Sequence, residues 1–206
     1  MALGKIANWL TNYSNERPSF GKTFRASRIQ PFKEMIEAVH QRNGCVSILD
    51  IGGTVQYWRI LGDDYLERFN VRISLINKPA AKIFEDTRFI THNDGDATGP
   101  LWETYRQSDF DLIHSNSVIE HVGDWENMKR FASNITSFEG GYFIQTPNFW
   151  FPIEPHCMTL FFHWLPKPTR LYLVQKKALG HWKKASNVSE AVDIVDSARL
   201  LNKAQF

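Results

Sequence analysis

Apolar and polar positions run along this chain in two rhythms, and the places where one gives way to the other mark its elements. Val46–Ile51 reads Val-Ser-Ile-Leu-Asp-Ile, an apolar run rich in β-branched residues, the pattern of a strand buried on both faces. Val71–Ile76 alternates and then turns continuously apolar, which predicts a second strand ending at Asn77. Phe89–Thr91, Phe110–His114 and Tyr142–Thr146 predict three more. Helical spacing fills the intervals. Phe32, Met35, Ile36 and Val39 share one face of a predicted helix over Pro31–Gln41, with Pro31 suited to its first turn and Gly44 to its stop. Trp58–Phe69 predicts one or two short helices broken near Gly62-Asp63-Asp64, and Ala80–Phe84 another. Val118, Val122, Trp125, Met128, Phe131, Ala132 and Ile135 recur at helical spacing and predict a long helix capped by Asn116 or Ser117. Strands alternating with helices imply an α/β fold around a mostly parallel sheet with right-handed crossovers.

Two segments leave this rhythm. Met1–Arg28 mixes Asn, Ser, Pro and Gly and reads as an arm or short helix packing over the domain (1–28). Pro147–Pro168 holds five prolines with Phe149, Trp150, Phe151, Phe161, Phe162 and Trp164. It is too proline-rich for one helix and too apolar for a solvated loop. With the basic amphipathic stretch Leu171–Lys184 it is expected to form a substrate lid (147–184) covering the carboxyl end of the sheet. Ser189–Asp196 predicts a last helix. At 206 residues the expectation is one domain, 1–206.

Composition narrows the partners. A net charge of +2 gives no whole-protein case for nucleic acid or membrane binding. Cys45 and Cys157, the only cysteines, suit a reduced compartment. No run reaches the ~20 apolar residues of a membrane span, and the first 20 residues lack the apolar core of a signal peptide. The expected location is cytoplasmic, and the glycosylation patterns Asn134-Ile-Thr and Asn187-Val-Ser are read as chance.

The candidate chemistry starts at Asp50, placed by the pattern near the carboxyl end of the first strand, just before Gly52-Gly53. Paired glycines let the backbone turn sharply and let a ligand come close, and ligands of open α/β sheets bind beyond the strand ends. An acid there suits sugar hydroxyls or a cationic group better than a phosphate, so the stretch reads as a nucleoside-binding turn. In Pro152-Ile-Glu-Pro-His156 two prolines fix the backbone around a carboxylate and an imidazole. That either preorganises Glu154 and His156 for proton transfer or makes a rigid loop in which Glu154 pairs with a surface base. His156, Cys157 and His163 match no zinc spacing, so no metal is expected. Lys167, Arg170, Lys176, Lys177, Lys183 and Lys184 make a solvated basic face, or a surface for an anionic acceptor or lipid headgroups.

Five stretches in order then carry a resemblance: Ile48-Leu-Asp-Ile-Gly-Gly-Thr54, Leu75-Ile-Asn77, Gly95-Asp-Ala97, Phe110–Ile113 with Ser115–Val122, and Gln145-Thr-Pro-Asn148. Over roughly Pro31–His163 the chain resembles class I S-adenosylmethionine-dependent methyltransferases, and looks most like the small-molecule type 11/23 group. The resemblance implies a Rossmann-like three-layer sandwich, S-adenosyl-L-methionine as cofactor, and methyl transfer to an oxygen or nitrogen of a small molecule or glycan. It implies that Asp50, Gly52, Gly53 and Thr54 line the methionine and ribose portions. Asn77 would stand at the ribose hydroxyls, Asp96 and Ala97 at the adenine, and Ser115 and Asn116 under the sulfonium. Glu120 and His121 would open the next helix on the substrate side; His121 is then a candidate base as a neutral imidazole, as are Glu154 and His156, or it only caps or orients the helix.

The chain departs from the family pattern in three places. Asn77 replaces the usual acid, Thr54 and Gln56 replace further glycines, and no candidate is seen for the family's carboxyl-terminal strand pair. A sheet ending at its fifth strand would leave an unpaired edge, inviting a partner such as a second copy in a homodimer. Two other readings stay open. One is a non-catalytic cofactor-binding or assembly subunit. The other is a nicotinamide oxidoreductase, against which Gln56 and Asn77 argue, because that site needs Gly-x-Gly-x-x-Gly and an acid after the second strand.

Overall fold

The structure is a computed structural model and describes residues 20–79 and 86–206, with side chains from 27 onward. The helix expected at Ala80–Phe84 and most of the amino-terminal arm lie outside these residues. The described residues cluster into two compact units, Arg28–Gln145 and, with residues 20–27, Thr146–Phe206.

The first unit is the α/β sandwich the pattern predicts. Helix α1 (Phe20–Asn43) ends at Gly44, whose φ of +73° suits the left-handed stop and whose N–H bonds His40 O at 2.8 Å. Strand β1 (Val46–Ile51), helices α2 (Val55–Trp58) and α3 (Asp63–Arg68), and strands β2 (Val71–Asn77) and β3 (Ile90–Asp94) follow. Then come α4 (Leu101–Thr104), β4 (Leu112–Asn116), α5 (Trp125–Thr136) and β5 (Gly141–Gln145). Among the described residues the five strands form one parallel sheet in the order β3-β2-β1-β4-β5. The sheet stops at β5, with no added strand pair among those residues. Phe32, Ile36 and Val39 of α1 pack with Val46, Ile48, Trp58, Val71, Ile73 and Leu75 as the core on one face. Leu49, Ile51 and Ile113 point to the other face, where they too are buried.

Tertiary context overrode local signals at several positions. Pro31 is not in a first turn: it lies inside the 24-residue α1. An interior proline costs about 3 kcal/mol of helix stability, and the fully buried Phe32 and Ile36 beside it offset that cost. The long helix expected from Asn116 or Ser117 is two elements. Ser117 takes φ +58° and Gly123 φ +108°, so only a 3₁₀ turn (Ile119–His121) forms between them. Asp124 is the cap of α5, accepting from Asn127 N–H at 2.9 Å. The third strand, expected over Phe89–Thr91, runs on through Asn93 and Asp94, which pair with Ile76 and Asn77 at the sheet edge.

The second unit has a core of its own. Strands β6 (Ile153–Glu154) and β7 (Thr159–Leu160) pair antiparallel, and a 3₁₀ turn (Phe162–Trp164) leads into α6 (Lys167–Lys176) and α7 (Val188–Asp196). Cys157, Phe162, Val174, Leu179, Ala185, Ala191 and Val195 are buried together. Gly180, at φ +52°, lies so close to the Cys157 carbonyl that a Cβ would sit 2.4 Å from its oxygen. A single bridge, Asn148 to Leu201, ties the last residues to the start of this unit. Among the described residues no helix is long and apolar enough to cross a membrane.

Candidate functional site

In the sheet unit the strand order reverses between β1 and β4: β1 is followed by β2 on one side, while β4 and β5 lie on the other. A crevice at that switch point is where open α/β sheets take their ligands. The turn Gly52-Gly53 leaves β1 there. Gly52 sits at φ +74° with its N–H on Ile76 O at 2.7 Å, and a Cβ on it would lie 2.5 Å from a Val118 methyl. Both the conformation and the closeness of Val118 demand glycine.

Several residues nominated as cofactor contacts hold this turn in place. Asn77 Nδ2 donates to Gly53 O at 3.1 Å, and the buried Ser115 hydroxyl donates to Ile51 O at 2.8 Å. Thr54 caps α2, its Oγ1 accepting from Tyr57 N–H. Asp50 is fully buried. Trp58 Nε1–H donates to Asp50 Oδ2 at 2.6 Å, and His114 Nδ1 lies 2.8 Å from Oδ1. A carboxylate only accepts, so Nδ1 carries the hydrogen. In the neutral ring Nε2 then accepts from the Tyr57 hydroxyl, 3.0 Å away. The result is a chain Trp58–Asp50–His114–Tyr57 beneath the turn, packed against Phe32 and Phe143. Sequence reasoning missed His114, Trp58 and Tyr57. The available signal was two polar residues, Asp50 within the apolar run of β1 and His114 directly after Leu112-Ile113 in β4. They prove to be register partners.

The other nominated residues lie further out on the same unit. Asp96 is exposed and follows β3. Its Oδ1 accepts from the Thr98 N–H and hydroxyl, and Lys78 Nζ is 3.2 Å from Oδ2. Burial, the largest single influence, pulls its carboxyl up, but Thr98 and Lys78 together outweigh this and hold it below the usual carboxylate range. The Ala97 carbonyl accepts from Asn134 Nδ2 at 2.9 Å. Asn116 is half-buried at the end of β4, and His121 is exposed at the end of the 3₁₀ turn that follows.

Glu154 and His156 belong to the other unit and do meet. His156 Nδ1 is 2.6 Å from Glu154 Oε1, and Cys157 N–H donates to Oε2 at 2.7 Å. Burial would raise the Glu154 carboxyl; the hydrogen bond and charge of His156 and the Cys157 N–H overcome that and hold it low. Burial first, and the Glu154 charge second, push the neighbouring Cys157 thiol up to about 12. At pH 8 the native protein is therefore expected to alkylate at one thiol, the exposed Cys45, with Cys157 labelled only after denaturation. Mass spectrometry of iodoacetamide-treated protein checks this, and rapid native labelling of Cys157 would contradict its burial.

No family model matches the chain, and no curated protein matches it.

Proposed function

We propose that this protein binds S-adenosyl-L-methionine and transfers its methyl group to an oxygen or nitrogen of a small molecule or glycan. The observation that carries the reading is a tight Gly52-Gly53 turn at the point where a parallel β3-β2-β1-β4-β5 sheet reverses its strand order. The residues present fit the cofactor in part. Asp96 is an exposed, ionised acceptor suited to an exocyclic amine, and Asn77 and Asn116 are half-buried amides at strand ends suited to hydroxyl or carboxylate groups. Asp50 does not fit a direct contact, because it is fully buried as well as having both oxygens used below the turn, whereas Asp96 keeps exposed lone pairs. When bound, the cofactor supplies an electrophilic sulfonium methyl, and the protein's part is to orient it against an acceptor.

Calorimetry with S-adenosylmethionine is the test. One site per chain is expected, no binding of NAD, and about tenfold weaker binding in Asp96→Ala, the loss of one charged hydrogen bond. Absence of heat with both S-adenosylmethionine and its demethylated product would remove the reading. A second reading, a cofactor-binding subunit without turnover, is favoured by Asn77, an amide held on Gly53 O where the family the chain resembles carries an acid. A screen for methyl transfer to hydroxylated sugars and phenols separates the two.

A further inference from the structure

The second unit presents an aromatic face that its own core does not absorb. Trp150 is 64% exposed, Phe151 58%, Phe161 46% and Trp164 40%, with Leu160 also exposed beside them in sequence. The rings form a connected platform: Trp150 and Trp164 centroids are 6.1 Å apart, and Phe161 and Trp164 4.9 Å. The platform is held from beneath. The Phe149 carbonyl accepts from both Trp164 Nε1–H, at 2.8 Å, and His163 Nε2–H, at 2.7 Å, while Phe149 N–H donates to Leu201 O. Phe161 N–H donates to Pro152 O at 2.6 Å and Phe161 takes φ +58°, a left-handed conformation unusual for a bulky residue. The outward rings are thus fixed by backbone geometry, where an unrestrained loop would fold them inward. A cluster of outward Trp and Phe residues marks an interaction surface.

Charge indicates the occupant. Thr146–Phe206 carries eight Lys and Arg against four Asp and Glu, a net +4, while Arg28–Gln145 carries twelve against seventeen, a net −5. The basic excess therefore belongs to the unit that bears the aromatic face. Lys167, three residues after Trp164 at the start of α6, is neutralised by Asp196 at 2.6 Å, so the uncompensated charge lies further along the unit. Lys176 ends that helix, its ammonium 5.1 Å from the centroid of the exposed Tyr172 ring, and Lys177, Lys183 and Lys184 are exposed beyond it. Outward Trp and Phe on a unit with an excess of exposed Lys is the composition that seats in the headgroup layer of an anionic bilayer, where amphipathic rings enter the interface and lysines meet lipid phosphates.

We propose that the aromatic face of Thr146–Phe206 docks this protein on the surface of an anionic lipid bilayer. The proposal is independent of the methyltransferase reading. It is tested by co-sedimenting the full chain with vesicles of phosphatidylcholine alone and of phosphatidylcholine containing about one-third phosphatidylglycerol. Pelleting with the anionic vesicles is expected, about tenfold weaker on the neutral ones. The double variant Trp150→Ala, Phe151→Ala removes the two most exposed rings and leaves the buried cluster intact. It is expected to lose binding with an unchanged circular dichroism spectrum. Lys176→Glu with Lys177→Glu is expected to lose it with the rings in place. Failure of the parent to pellet with anionic vesicles overturns the proposal, as does equal pelleting of parent and Trp150→Ala, Phe151→Ala. Sedimentation velocity showing a dimer that this same double variant abolishes would assign the face to a second copy of the chain and overturn it too.

Discussion

Asp50→Ala is expected to lower the free energy of unfolding by about 2–4 kcal/mol, the cost of leaving two buried hydrogen-bond donors without their acceptor. The carboxylate is fully buried and takes hydrogen bonds from Trp58 and His114. Its loss leaves an indole N–H and an imidazole N–H in an apolar setting, surrounded by Phe32 and Phe143. Asp50→Asn keeps an acceptor for Trp58 and is expected to cost less, because its amide can face a His114 ring carrying its hydrogen on Nε2. Urea denaturation followed by far-ultraviolet circular dichroism measures both. A value for Asp50→Ala within 1 kcal/mol of the parent would show that the network contributes little. The result also governs how cofactor binding is tested. A variant that loses this much stability loses the turn above it, so loss of binding in Asp50→Ala cannot be read as loss of a contact. The exposed Asp96 is the cleaner probe.

Gly53→Ala is the second large effect, and it arises at the same atoms. A Cβ on Gly53 would lie 1.6 Å from Asp50 Oδ2 and 2.3 Å from its Cγ. That carboxylate cannot swing aside, because each oxygen is held by a buried partner. The Gly53 carbonyl is also held, by Asn77. Overpacking of this kind costs about 3 kcal/mol. Gly44→Ala provides the contrast: nothing lies within 4 Å of its Cβ, so only the strain of φ +73° is felt, about 1 kcal/mol. In an Asp50→Ala background the obstruction at Gly53 is gone, so adding Gly53→Ala should cost well under 3 kcal/mol. Full additivity of the two substitutions in a double-mutant cycle would refute the steric account.

Much of the fold was legible along the chain, and the misreadings share a cause. Strand β1 is where its apolar run placed it, and β2, β4 and β5 lie within two residues of expectation. A helical period continues through Val118 and Val122, yet Ser117 at φ +58° blocks the helix there. Hydrophobic spacing says which face a segment would bury if it were helical, and it cannot say whether the backbone is free to be helical. Pro31 illustrates the opposite case, since its turn preference yielded to the burial of Phe32 and Ile36 around it. For Pro147–Pro168 the aromatic content was plain, while the small core that Cys157 and Phe162 share with α6 and α7 rests on contacts distant in sequence.

The candidate site divides along the same line. By itself the amino-acid order determined that β1 is buried on both faces, that it ends in two glycines, and that the sheet around it is parallel, because β-branched runs, turn residues and strand–helix alternation act locally. Only the tertiary structure decided what Asp50 does. In a strand covered on both sides, no polar alternation marks which layer a side chain enters or what waits there. The parallel register of β1 with β4 set Asp50 beside His114, and the first turn of α2 and its end brought Tyr57 and Trp58 to the same pair. What local pattern presents as a ligand-facing acid is, in the folded chain, the buried anchor on which the glycine turn is built.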